Sequence, residues 1–508
     1  MAAWHTNSDL FHQWEEAEER AEKWERTARQ ERETHKQEVT DLRAEFRREM
    51  AEMRGELREE IHRLEDQIKG LKVENQALKE DNERLKSIIN NDSSNSSLPP
   101  SSDQKPGKRK ANEYNGRERS GRKRGGQPGH KGKTLKKETA EALISSGQVK
   151  HEVIDIGEKR NSYITKYEID IETAVIVREY RYHAETAGKK PCIPEKHHSD
   201  VSYGNGIKGM AAMLYSVGVL SNDRMQDFIN GITNNILNIS AGGMYKFVQQ
   251  FATRIDPRIR QLKEDILNVP VLCTDATGIS VNGTQEHIRN ISTADSVIYI
   301  GMDKKNLQNL KKTPLGRFMG TLVHDHETAL FHFGTAHAEC NVHILRYLTK
   351  NSEDTGNKWS EVMKKWLCDM NQARKRKIAD GQPFTEDELT ALEEQYTAIL
   401  RQGQAENEAT RPKWAKRDEA SLLRRLEKYR DSHLLFLRRF DVPFDNNLSE
   451  RDLRKVKNRQ KMSGGFRDES GRDMFCSILS FIETCKRRSL PVFQSICAAL
   501  NGDSLLGW

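Results

Sequence analysis

From about residue 10 to residue 90 the chain carries no proline and is dense in Glu, Lys, Arg and Gln, which predicts one long helix. Its later part shows a heptad. Leu57, Leu64, Leu71, Leu78 and Leu85 recur every seven residues, and Ile61, Ile68, Asn75, Asn82 and Ile89 take the other seam position. Leucine at d with isoleucine at a favours two parallel strands, and asparagine at a fixes the register at a cost in stability. The pattern therefore predicts a homodimeric coiled coil from about residue 57, with Leu57, Leu64, Leu71, Asn75, Leu78, Asn82 and Leu85 in the contact. A lone amphipathic helix packed on the body is the alternative. Before Leu57 the seam fades, because Arg47 and Arg54 fall at a positions.

The helical pattern stops at residues 91–103, where Ser, Asn and the pair Pro99–Pro100 favour turns and cannot continue a helix. The first unit is thus residues 1–92, and 93–137 reads as a Ser/Pro-rich and then basic, Gly-rich linker. Period-two alternation over 163–171 and 174–182 predicts strands, so 138–200 reads as a small β unit. Residues 201–265 return to a helical pattern. A helix-turn-helix is one reading of that region and plain helical packing the other. Residues 266–345 read as the first part of an α/β core, in which 271–275, 279–281, 288–291 and 297–302 form an antiparallel meander with a turn at Asn282–Gly283. A further strand at 320–324 precedes Asp325. Residues 346–440 are helical and polar and read as an all-α insertion, and 441–508 complete the core with helices.

Composition adds limits. A chain of 508 residues is long enough for about three or four units. Seven cysteines lie scattered without a CxxC pair, which argues for a reducing compartment and against a disulfide framework. There is no apolar leader pattern and no run of about 20 apolar residues, so the expectation is an intracellular protein with no membrane partner. The net charge of +7 understates a local excess. Lys108, Arg109, Lys110, Arg122, Lys123, Arg124 and Lys131 crowd the linker with few acids, a composition that binds phosphate backbones by releasing counterions. A second basic run, with Arg451, Arg454, Lys455 and Lys457, follows Glu450. Each run is a candidate DNA contact, and a solvated tether or helix face is the plainer reading.

Three acids sit where a carboxylate could be aimed at a cation. Asp275 follows the mostly apolar run 271–274, Asp325 ends the run 319–324, and Glu450 lies at the start of a helical pattern. Phosphoryl transfer on DNA needs an activated oxygen nucleophile and a stabilised leaving oxygen, and two divalent ions about 3.5–4 Å apart supply both. Hard Mg²⁺, or Mn²⁺, prefers carboxylate oxygens. Asp275, Asp325 and Glu450 are therefore the candidate catalytic and metal-binding residues, with two ions per site. For any one of them alone, a cap or surface ion pair is the default, such as Glu450 with Arg454 at i+4. His324, His326, His332, His337 and His343 cluster with Cys340. His337-x₂-Cys340-x₂-His343 lacks the paired cysteines of structural zinc sites, so roles beside the acids or in packing are expected instead of structural zinc.

In the segments NSSLPPSSD (95–103), GGQPGHKG (125–132), TDAT (274–277), VHDH (323–326), 337–346, NNLSERDLR (446–454) and 480–486, in this order, the chain resembles the transposases of the insertion sequence 66 family, which are bacterial DDE enzymes. The resemblance covers roughly residues 90–500. It implies an RNase H-like fold, divalent-metal dependence and cut-and-join chemistry at transposon ends and target DNA in the bacterial cytoplasm, near the nucleoid. It assigns Asp275, Asp325 and Glu450 the catalytic roles and leaves open accessory proteins of the same element. Three features depart from the family pattern. Only Cys192 remains where members commonly carry a zinc-finger-like unit, Ala276 stands where an acid is frequent, and the N-terminal helix is longer. A nuclease without strand transfer and a non-catalytic DNA-binding coiled-coil protein are the rival readings.

Overall fold

The computed structural model describes residues 7–92, 95–96, 136–147, 149–156, 164–183, 190–194 and 197–503. The linker cations Lys108, Arg109, Lys110, Arg122, Lys123, Arg124 and Lys131 lie outside these residues. The chain divides into two units, Met1–Asn90 and Asn91–Trp508.

The first unit is a single helix, α1 (Asn7–Ile89). At 1.5 Å per residue it is about 120 Å long. The heptad leucines are solvent-exposed along it; Leu71, for example, is 63% exposed. No described residue in α1 is buried. A helix this polar has no core of its own.

In the second unit, Asn91 and Asn95 bond to the helical insertion. Asn95 accepts from the backbone N–H of Asp92 at 2.9 Å and donates to Glu353 at 2.7 Å, and Lys350 donates to Asn91 at 2.7 Å. Helix α2 (Lys137–Ser145) follows. The expected β unit is not seen among the described residues of 138–200, which hold no strand. Among the described residues, Ile164, Ile171 and Val177 of the alternating pattern are between 85% and 91% exposed. A two-stranded ribbon without a third strand, a helix or a metal to close it is at best marginal.

Helices α3 (Asn205–Ser216), α4 (Asn222–Ile232) and α5 (Ala241–Asp265) come next. Ser221 and Ser240 cap α4 and α5 by accepting from the N–H groups of Arg224 and Gly243. The α4–α5 connection, 233–240, is longer than the three- or four-residue turn of a helix-turn-helix. The apolar face of α5 (Phe247, Phe251, Ile255, Ile259) is buried in the main core. Plain helical packing is what the structure shows here.

The sheet has five strands: β1 (Val271–Val281), β2 (Thr284–Ser292), β3 (Val297–Met302), β4 (Thr321–His324) and β5 (Ala336–Glu339). Their order is β3-β2-β1-β4-β5. The β1–β2 and β2–β3 pairs are antiparallel; β1–β4 and β4–β5 are parallel. β1 is one continuous strand, not the two short ones the pattern suggested, because every residue from Cys273 to Val281 pairs with β2. Asn282 and Gly283, at φ 48° and 76°, make the tight turn between them. β5 is four residues long and rich in His and Ala, which hid it among the histidines.

A short helix, α6 (Leu307–Lys311), lies between β3 and β4. After β5 the chain enters α7 (Asn341–Thr355), α8 (Trp359–Ala379), α9 (Glu386–Ala409), α10 (Lys413–Lys428) and α11 (Arg430–Arg438). These helices share an apolar core including Leu348, Trp359, Leu367, Tyr396, Leu426 and Phe436. The chain then returns through α12 (Asn447–Ser463), α13 (Glu469–Arg487) and α14 (Val492–Asn501). Helix α13 covers the free edge of β3: Ser480 and Thr484 accept from the N–H groups of Tyr299 and Val297, at 2.9 and 3.2 Å. Helices α3–α5 and α12–α14 join one face of the sheet in a single core.

At the centre of the helical insertion sits Glu419, fully buried on α10. Its carboxylate accepts from Asn351, Asn357, Trp359, Asn407 and Thr410 at 2.6–2.9 Å. Burial alone would push its pKa up, but these donors hold it below the usual carboxylate value. Glu419→Ala should therefore destabilise the insertion by about 3 kcal/mol or more, since it strands several buried donors, seen as a lower urea midpoint. Because the pKa is depressed, the stabilisation is present above the usual pKa and fades as pH falls through the folded value. The gap between the two proteins should then narrow in strong acid.

Candidate active site

The parallel β1–β4 ladder ends at Cys273↔Val323. Extended two residues, it sets Asp275 level with Asp325. β4 stops at His324 while β1 continues beside β2, so both aspartates stand where two neighbouring strands part. Glu450 lies in the first turn of α12, where the helix dipole favours an acid. A flank of that helix, with Leu453, Val456 and Arg459, is buried, and Gly464 ends it at φ 71°.

Two asparagines tie these elements together. Asn290 on β2 accepts from the Asp275 N–H at 3.0 Å and donates to Ser292 Oγ at 3.0 Å and the Ser449 carbonyl at 3.2 Å. Asn446 donates to the Thr274 carbonyl at 2.9 Å, while its own N–H reaches Cys340 Sγ at 3.2 Å. Both asparagines are completely buried. Asp452, one turn along α12, accepts from Ser292 at 2.7 Å and from Arg487.

The structure brings a fourth side chain among the acids. His343, in the first turn of α7, has Nδ1 3.1 Å from Asp325 Oδ2 and Nε2 3.4 Å from Glu450 Oε1. Among the described residues, Asp325, His343 and Glu450 form a group whose ligand atoms lie within 4.8 Å of one another. Asp275 stands just outside it; its Oδ1 accepts from the Ala276 N–H at 2.6 Å. The three positions of the His337-x₂-Cys340-x₂-His343 spacing do not converge. His337 faces His324 at 3.3 Å, Cys340 receives the Asn446 N–H, and only His343 points to the acids.

The electrostatics follow from burial and crowding. Burial raises Asp275, against the Ala276 N–H and the charges of Lys305, Arg289 and His343. Asp325 is pushed up to about 6, by burial first and by the nearby charges of Asp275 and Glu450, with His343 opposing. Glu450 is held below its usual value, chiefly by its hydrogen bond with His343. Burial works against a charged His343, yet Glu450 and Asp325 outweigh it and raise its pKa. Asp325 Oδ1 is a buried oxygen that accepts no hydrogen bond, and Glu450 Oε1 faces only His343 Nε2, at 3.4 Å.

The basic run on α12 divides. Arg451 and Arg454 are exposed beside Glu450. Lys455 is ion-paired with the buried Glu483, and the half-buried Lys457 donates to the Gly278 carbonyl at 3.4 Å. Sequence reasoning gave no role to Asn290, Lys305 or Arg346. Lys305 donates to the Ala276 carbonyl at 3.0 Å, and Arg346 adds positive charge near Glu450. Lys305 stands in a plain Asp-Lys-Lys loop with no local signal. Arg346, one turn beyond His343, was visible only as part of the 337–346 segment.

A family model described as "Transposase IS66 family" matches residues 216–474, about half of the chain, and spans Asp275, Asp325, His343 and Glu450. The chain belongs to the IS66 transposase family. A second model, for a family of unknown function (DUF6444), matches residues 31–136. An uncharacterized protein of Sinorhizobium fredii (strain NBRC 101917 / NGR234), y4jO, is 38% identical over 86 residues, which is 17% of this chain and 27% of that protein. The chain thus matches about a quarter of the length of this curated relative. The IS66 match contains the acid cluster together with Asn290 and Asn446.

Asn290→Ala should cost about 1–3 kcal/mol of stability, because the Asp275 N–H loses its partner inside the core and α12 loses its tie at the Ser449 carbonyl. Urea denaturation of the purified chain measures it; a change within about 0.5 kcal/mol, as at an ordinary surface site, would contradict this account of how β2 holds α12.

Proposed function

We propose that this chain is a DNA transposase that cleaves at transposon ends and joins the freed ends to target DNA, with Asp275, Asp325 and Glu450 as its catalytic and metal-binding residues. The observation that carries the reading is the meeting of three acids, from β1, the end of β4 and the start of α12, with His343 between two of them and the buried Asp325 Oδ1 without a donor. The mixed five-stranded sheet flanked by helices supports an RNase H-like reading of the core.

The donor set fits divalent cations. Asp275, Asp325 and Glu450 would hold Mg²⁺ or Mn²⁺, two per site, and His343 is placed as a nitrogen donor or as a strut between two of the acids. When bound, such ions activate the attacking oxygen and stabilise the leaving oxygen of an in-line displacement. The protein's own residues do the rest. Asn290 and Asn446 hold the backbones that carry Asp275 and Glu450. The exposed Arg451 and Arg454 and the nearby Lys305 and Arg346 supply positive charge for DNA phosphates. The linker cations would extend that contact along the end sequence.

Dimerisation through α1 would bring two ends into one complex. The exposed heptad stripe, with isoleucine and asparagine at a and leucine at d, supports a second copy of this chain as its partner. Serine at Leu64, Leu71 and Leu78 together should convert a dimer to a monomer in sedimentation velocity, while the second unit keeps its circular dichroism and melting behaviour. A dimer that persists would remove the coil from the proposal.

The central test is strand transfer with purified protein, Mn²⁺ or Mg²⁺ and a pre-cut end of the element. Asp275→Ala, Asp325→Ala and Glu450→Ala should each lower joining by at least about 10³-fold, as removal of a catalytic group does, with DNA-end binding retained. Cleavage without joining by the intact chain would favour a nuclease. Lost DNA binding in the alanine variants would sink the assignment of these acids to chemistry.

A further inference from the structure

One buried acid close to the site takes no part in the account above. Glu339 ends β5, on the last rung of the parallel ladder, opposite His324 and so one residue from Asp325. It is 1% exposed. One oxygen lies 2.9 Å from His326 Nδ1 and 3.4 Å from His433 Nε2, and the other accepts from Arg425 at 2.6 Å. Arg425 is on α10 and His433 on α11, so two of the three partners belong to the helical insertion. His433 is itself fixed through Nδ1 by the Tyr396 hydroxyl at 3.2 Å.

The third partner, His326, follows Asp325 directly and has φ 49°. Residues other than glycine adopt this left-handed conformation at a cost, so something must hold it. Besides Glu339, Tyr429 packs edge-on against the His326 ring at 4.8 Å. Tyr429 lies between α10 and α11, so this contact also comes from the insertion. The turn at His326 sets the direction in which the chain leaves β4, and with it the direction of the Asp325 carboxylate.

We propose that Glu339 is a positioning residue, clamped by Arg425 and His433 of the insertion, that holds His326 in its left-handed turn and thereby aims Asp325 at the cation site. The insertion is then part of the catalytic frame and not an independent appendage. This rests on the reading of Asp325 as a metal ligand. Supporting groups of this kind typically change metal affinity about 10–100-fold when removed.

The test uses the full-length protein and Mn²⁺ alone, with free ion followed by electron paramagnetic resonance. Glu339→Gln keeps the shape of the side chain and removes its charge. It should bind Mn²⁺ at least about 10-fold more weakly, with circular dichroism and DNA-end affinity unchanged. Turnover should need correspondingly more Mn²⁺ while KM for DNA stays the same. Mn²⁺ affinity equal to that of the parent would overturn the clamp. If Glu339→Gln does not fold, His326→Asn carries the test, because it removes only the tie to the loop and asparagine tolerates positive φ. Weaker Mn²⁺ binding by that folded variant supports the clamp and unchanged binding overturns it. Asp325→Asn separates the two levels. If it binds Mn²⁺ as the parent does, the metal-site reading fails. If it loses binding while Glu339→Gln does not, the clamp alone fails.

Discussion

Everything at the acid cluster depends on two buried asparagines. The three acids come from a central strand, from the end of its parallel neighbour and from a helix that the chain reaches only after crossing the whole insertion. Local sequence cannot hold such distant pieces in register. Asn290 does so by serving the Asp275 backbone and the Ser449 carbonyl with one side chain, and Asn446 does so by reaching across to Thr274. Asn290, a buried amide with both ends satisfied, is specific in a way apolar packing is not, because a small slip leaves donors and acceptors unpaired in a medium that penalises them.

The insertion solves a different problem. About a hundred residues separate β5 from α12, and they must not loosen what lies at either end. They form their own apolar core around Trp359, Tyr396 and Leu426, organised about one carboxylate, Glu419. From that core Arg425 and His433 reach Glu339 on β5, and Asn341 at the entry donates to the His433 carbonyl at 3.1 Å. Entry and exit are also bridged by the Asn341 N–H bonded to the Phe444 carbonyl at 3.1 Å. The insertion is therefore anchored at its root, where α7 carries His343 and α12 carries Glu450.

Much of this can be read from the chain in advance, for physical reasons that differ by element. The period-seven leucines and the two-residue turn at Asn282–Gly283 are local signals, because the geometry they describe spans few residues. The acids are readable only as a set, since any strand-end aspartate also fits a cap or an ion pair. The alternation over 163–182 reports a strand-like pattern without reporting whether a partner exists to pair with it. β1 was seen as two pieces because the middle of the strand, Ala276 to Gly278, looks unlike a buried strand until β2 is placed beside it. Asn290, Lys305 and Glu339 carry no local mark. Their roles exist only through partners far away in sequence, such as Ser449 for Asn290 and Arg425 for Glu339.

The charge pattern around the acids gives the site its logic. Three carboxylates in a half-buried cleft repel one another, and the chain answers with cations placed unevenly. Asp275 has Lys305 and Arg289 nearby, and Glu450 has His343, Arg346 and Arg454. Asp325 feels both other acids and relies on His343 alone among the leading positive charges. It is accordingly the acid pushed up to about 6. A divalent cation held among the acids would offset this crowding at Asp325 and also at Asp275, which burial raises as well. On the proposed reading, Asp325 is also the acid whose neighbour, His326, takes a left-handed turn at φ 49°. A restraint from β5 and the insertion would then fix its direction independently of the charge balance.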